Sequence, residues 1–184
     1  MVGIVGVAGL AGAGKTTAVE YFKRLTGGRV LYLGQSVLGQ VRARGLSETR
    51  DNERGIRIDL RHEKGRAALA LPYVGTVAQY LANKIPVFVD AIYTQEEFSV
   101  LKGCFPPRSA HLLAIKASFA VRSTRLAKRE ERAYSCDELR KRDETELKKL
   151  GTGAVFAAAE HTIRNEKSLA GFYRDLAAFL DLCS

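Results

Sequence analysis

Residues 2–17, "VGIVGVAGLAGAGKTT", constrain this chain more than any other stretch, because an apolar run passes directly into closely spaced glycines, a lysine and two threonines. The run reads as a buried strand, and strand interiors avoid glycine unless another backbone or a ligand comes close. Gly9-Leu10-Ala11-Gly12-Ala13-Gly14-Lys15-Thr16 satisfies G-x-x-x-x-G-K-[ST], a loop whose successive N–H groups converge on a phosphate. Glycine reaches the backbone angles this needs at little cost. Lys15 adds a mobile positive charge, the helix that follows adds the positive end of its dipole, and the Thr16 hydroxyl is placed to bind Mg²⁺. The expected phosphate nest is therefore Gly9, Ala11, Gly12, Ala13, Gly14, Lys15, Thr16 and Thr17.

Further strand-like runs occur at "RVLYLG", "PVFVDAIY", "HLLAIKA" and "HTIRN", separated by stretches with helical periodicity. This alternation predicts an α/β fold in three layers, a parallel sheet with helices on both faces. Ala18, Phe22 and Leu25 make one helical stripe, stopped by Gly27-Gly28, and Val74, Val77, Ala78 and Leu81 make another. Thr94-x-x-Glu97 and Ser135-x-x-Glu138 are capping boxes, and Ser168 caps a last helix whose face is Leu169, Phe172, Leu176 and Phe179.

At 184 residues the chain suits one domain, 1–184, with two arginine-rich insertions at 34–72 and 119–158 that read as covers over a phosphate site. The formal charge of +9 asks for an acidic partner, which charge alone does not identify. No interleaving of aromatic with basic residues points to a nucleic-acid surface, and no segment reaches the roughly 18 apolar residues of a membrane span. The apolar start carries no basic leader, so a cytoplasmic location is expected. Cys104, Cys136 and Cys183 are far apart and read as reduced thiols, while His62, His111 and His161 show no ligand spacing and read as packing or solvent-facing residues.

Asp90 ends "VFVD", and an aspartate at the carboxyl end of a buried strand beside such a loop is placed to hold Mg²⁺ with Thr16. Arg122, Arg125, Arg129 and Arg132 recur at spacings of three and four and so are expected on one helix face, where guanidiniums can stabilise charge on a transferring phosphoryl group. Their bland alternative is a solvated helix paired with Glu130 and Glu131.

Beyond the loop, "QVRARGLSETRDNERGIRIDLRHEKG", "VDAIYTQEEFSVLK", "AIKASFAVRSTRLAKR" and "RDETELKKLGTGAVFAAAEHTIRNEKSLAGF" span most of the chain. On these stretches the chain resembles the P-loop nucleotide and nucleoside kinases, and more narrowly the archaeal-type dephospho-coenzyme-A-kinase-related, nucleotide-kinase-like family. The resemblance implies a five-stranded parallel sheet in the order 2-3-1-4-5 and ATP- and Mg²⁺-dependent transfer to a nucleotide-like small-molecule acceptor. It implies Arg142 as a lid residue and Asn165 as a residue near the adenine. Lys15, Asp90, Arg122, Arg125 and Arg142 would then be the catalytic set, and Gln35, Arg42, Arg57, Arg61 and Tyr93 the acceptor side. Relatives often have Gly-Asp where this chain has Gly34-Gln35, and Asp-Gly-Ile-Arg where it has Asp90-Ala91-Ile92-Tyr93, which leaves the acceptor open. A dephospho-coenzyme-A kinase and a regulatory or RNA-associated ATP-binding protein are the alternatives.

Overall fold

In the computed structural model, which describes residues 3–103, 110–130 and 133–183, the apolar runs become strands β1 Ile4–Ala8, β2 Arg29–Tyr32, β3 Val87–Asp90, β4 Ala110–Lys116 and β5 His161–Arg164. They form one parallel sheet in the order β2-β3-β1-β4-β5, as expected. Parallel neighbours need crossover connections. These run through helices α1 Lys15–Thr26, α2 Gly34–Ala43, α3 Arg50–Lys64, α4 Val74–Ala82, α5 Gln95–Lys102, α6 Phe119–Ala127, α7 Cys136–Glu144 and α8 Thr152–Ala158, and α9 Leu169–Leu182 follows β5. Cys104, Glu131 and Arg132 lie outside the described residues.

The two-residue period of the strands divides the core. Ile4, Val87, Val89 and Leu112 face the layer built by α2, α3, α4, α5 and α8, while Val5, Val7, Phe88, Leu113 and Ile115 face α1 and α9. Gly6 belongs to the first set. A β-carbon there would lie 2.8 Å from Phe98 and 2.9 Å from Ile92, so α5 can pack this close only over a glycine. Fully buried Phe22 and Phe88 fill the opposite layer, each contributing about 1.5–3 kcal/mol through burial. A smaller cluster of Ala11, Leu126 and Leu139 fastens α6 and α7 to the glycine loop.

The end signals work as expected: both capping boxes form, Ser168 accepts from the Gly171 N–H, and α1 stops at Gly27 with φ 70°. Three stripe residues, Leu25, Ala78 and Leu169, do not join the core. Leu25 is 53% exposed in the last turn of α1, one residue before the helix ends at Thr26. Leu169 is 57% exposed because it sits in the first turn of α9 at the rim of a cavity beside the glycine loop.

Candidate active site

The carboxyl ends of β1 and β3 lie side by side, with Val7 in register with Asp90. The chain leaves β1 through Gly9, where a β-carbon would be 2.6 Å from the Ile115 carbonyl, and turns through Gly12 (φ 79°) and Gly14 (φ 108°) into α1. Both positive φ values favour glycine. No side chain caps the start of α1, so its first-turn N–H groups face the concavity of the loop. The loop's outward carbonyls are held by side chains from far along the chain. Arg122 Nη1 donates to Ala11 O at 3.1 Å, and Asn165 Nδ2 donates to Ala13 O at 2.8 Å. With its carbonyls fixed outward, the loop keeps its N–H groups turned in.

Thr16 Oγ1 donates to Asp90 Oδ2 at 2.7 Å, and Asp90 is only 8% exposed. Lys15 Nζ is folded back onto Gly9 O at 2.8 Å and Leu10 O at 3.2 Å, and lies 6.0 Å from the centre of the Tyr93 ring. The donor set fits a magnesium–nucleotide: oxygen-only metal ligands at Thr16 and Asp90, a free helix N-terminus for phosphate, and a lysine within reach of both.

A cavity of about 340 Å³ continues from the loop, lined by Gly14, Thr17, Arg125, Arg129, Asn165 and Phe172 among others. Asn165 connects it to the nest, since its Oδ1 accepts from Arg125 Nη2 at 3.3 Å while its amide holds Ala13. Arg125 Nη1 is buried and has no partner among the described residues. Arg122, Arg125 and Arg129 do not share one face toward this space, contrary to expectation. Arg122 is 3% exposed and lies beneath the loop, in a bidentate pair with Asp143 at 2.9 and 2.6 Å, while Arg129 is exposed at the rim. α6 ends at Ala127, so Arg129 has left the helix, and Arg122 is drawn beneath the loop by Asp143.

On the other side of Lys15, Tyr93 meets Arg142. The Arg142 guanidinium donates to Glu146 Oε1 at 2.7 Å, to the Tyr134 hydroxyl, and to the Tyr93 hydroxyl at 3.5 Å. Burial lowers its pKa, but Tyr93, Glu146 and Tyr134 together raise it above the ordinary value. Arg57 pairs with Glu53 Oε2 at 3.4 Å, and burial pulls its pKa down in the presence of Arg142 and Arg61. The remaining acceptor-side residues are elsewhere. Arg61 donates to Glu97 Oε1 at 2.8 Å in a buried pair that ties α3 to the capping box of α5. Arg42 is exposed and paired with Glu48 at 2.6 Å, and Gln35 is exposed in the first turn of α2.

Sequence reasoning did not name Asp143, Glu146, Tyr134 or Glu53. The four-residue spacings of Arg142 with Glu146 and of Glu53 with Arg57 are visible in the sequence. Nothing local in the sequence points Asp143 at Arg122, which lies 21 positions away.

Small-molecule kinases are among the solved structures that share this fold. The chain superimposes on a shikimate kinase from Bacteroides thetaiotaomicron with a TM-score of 0.60 and 14% identity, covering 97% of each chain. A gluconokinase from Sinorhizobium meliloti gives 0.59 and 18% identity, over 98% of this chain and 91% of that one. No family model matches. A UPF0200 protein from Thermococcus gammatolerans is 32% identical over 167 residues, covering 90% of this chain and 87% of that protein. The chain belongs to the UPF0200 family. Among the described residues, no helix is long and apolar enough to cross a membrane.

Proposed function

We propose that this protein transfers the γ-phosphoryl group of ATP, with Mg²⁺, to a small acceptor that carries an anionic group, a nucleotide-like molecule fitting best. The observation that carries this reading is the Thr16–Asp90 contact of 2.7 Å at the mouth of a glycine nest. It joins a helix-start hydroxyl and a strand-end carboxylate into one oxygen site directly beside the expected β- and γ-phosphates. Thr16 and Asp90 would hold the metal, which neutralises phosphate charge when bound. Lys15 would exchange the Gly9 and Leu10 carbonyls for phosphate oxygens, and the first-turn N–H groups of α1 would bind the phosphate chain. The cavity by Arg125, Asn165 and Phe172 would take the nucleoside.

Arg57 and Arg142, either side of Tyr93, would orient the acceptor, so residues 34–72 and 119–158 would act as acceptor lobe and lid. Arg122 would serve as a positioning residue that holds the loop. Catalysis then comes from alignment and fixed charge, with no protein nucleophile. The gluconokinase and shikimate kinase of the same fold are named for small acceptors that are not nucleotides, which sets the breadth of the test. Steady-state turnover of Mg²⁺-ATP is to be measured against nucleoside monophosphates, nucleosides, dephospho-coenzyme A and small hydroxy acids. Acceptor-dependent ADP release with at least one anionic acceptor is expected. ATP binding without transfer to any of them would reject the kinase reading and leave the regulatory one.

A further inference from the structure

The opposite, amino end of the sheet holds a second constellation. His111 on β4 and His161 on β5 have the strand parity of Leu113, Ile115 and Ile163, so both rings fall on the face covered by α9. α9 starts at the glycine loop, where Phe172 approaches Gly14, and runs back to deliver Cys183 beside them. One imidazole nitrogen from each histidine and the Cys183 sulfur lie within 4.8 Å of one another.

We infer that His111, His161 and Cys183 form a binding site for a borderline-soft divalent cation of the zinc type. The donor set is the first reason: two imidazoles and a thiol favour such an ion over Mg²⁺ or Ca²⁺, which take oxygen. The second is an unmet need, because His111 Nε2 is buried with no hydrogen-bond partner among the described residues. The third is orientation. The His161 ring stands edge-on to Phe179 with centroids 5.1 Å apart, and the Glu160 carboxylate beside the cluster accepts the Leu112 N–H at 2.8 Å. Cys183 lies just past the last helical turn of α9, and its N–H is held by Leu180 O at 3.1 Å. Tetrahedral ligation brings ligand atoms to roughly 3.5 Å from one another, so a contraction of about 1 Å is needed. Small side-chain torsions of the three ligands would have to supply it, with water in the fourth position. The ion would tie α9 to β4 and to the edge strand β5, at the far end of the sheet from the Thr16–Asp90 pair.

The test is titration of the tag-free, reduced, full-length protein with Co²⁺, followed by Zn²⁺ competition. One equivalent of Co²⁺ should bind with a thiolate-to-cobalt charge-transfer band and the intense visible bands of a tetrahedral ion, and Zn²⁺ should displace it. Cys183→Ser should abolish the charge-transfer band, and His161→Ala should weaken binding at least tenfold. Cys136→Ser and Asp90→Asn should leave the spectrum unchanged. At a hundredfold excess over Kd, Zn²⁺ should raise the Tm of the wild type by roughly 5 °C or more and leave Cys183→Ser unmoved. Only the weak spectrum of hexaaquo cobalt with the wild-type protein, or the same charge-transfer band in Cys183→Ser, overturns the proposal. Turnover of Mg²⁺-ATP is expected to be the same in Cys183→Ser as in the wild type, so this result stands apart from the kinase reading.

Discussion

The two walls that flank Lys15 are held in different ways. On the nucleotide side Arg122 and Asn165 are bonded to backbone carbonyls of the glycine loop, across separations of 111 and 152 residues, and Arg122 is locked further by Asp143. On the proposed acceptor side Arg57 and Arg142 are bonded to Glu53 and Glu146, four positions away, and Arg142 also to the Tyr134 and Tyr93 hydroxyls. Backbone bonds fix a position, whereas side-chain pairs can be exchanged for a ligand's oxygens without disturbing the fold. In the proposed reaction the first wall would stay the same for every turnover, and the second would be re-paired by whatever enters.

Lys15→Ala tests what both walls share. Turnover should fall by about 10³-fold or more, because the charge that follows the transferred group is gone. Retained wild-type turnover would remove the chemistry that the two walls are said to serve.

Arg122→Ala should hit stability. Removing one partner of a buried pair strands Asp143 and frees the Ala11 carbonyl, a loss of about 3 kcal/mol that lowers Tm by roughly 6–12 °C in a chain of this size. Arg125→Ala, which loses only the long 3.3 Å bond from Nη2 to Asn165, should leave Tm within about 2 °C and weaken ATP binding around tenfold. Calorimetry and ATP titration on the pair decide it; equal shifts in Tm would erase the distinction between a locked and a poised arginine.

The proposed acceptor wall is tested last. Arg57→Ala should raise the acceptor KM about tenfold, with the KM for ATP unchanged, as expected when binding rather than transition-state contact is removed. Arg42→Ala, at an exposed pair, should change neither. A rise in the ATP KM for Arg57→Ala would move that residue to the other wall.

What was legible in the sequence follows the same division. The glycine loop, the strand-end Asp90 and the two capping boxes are written within a few consecutive residues, and each keeps its expected geometry. The strand alternation and the kinase resemblance together led to the sheet order. The arginine row was read as one face because spacing was known and partners were not. Asp143 captures Arg122 through the return of α7 over α6, which no local pattern encodes. His111, His161 and Cys183 were dismissed for the same reason. Their proximity comes from strand parity and the path of α9, at separations that motif spacing does not sample.

The resting position of Lys15 has one more consequence. Its ammonium already holds two carbonyl oxygens, at 2.8 and 3.2 Å, so an arriving anion competes with the loop for it. Bonds from a charged donor are individually worth about 1.5–3 kcal/mol, a toll that chloride or a lone phosphate recovers poorly and a polyphosphate with its metal recovers several times over. Under the proposed function a lysine parked in this way would work as a threshold: it would screen out the abundant small anions of any aqueous medium and commit its charge only to a ligand able to engage the rest of the loop as well.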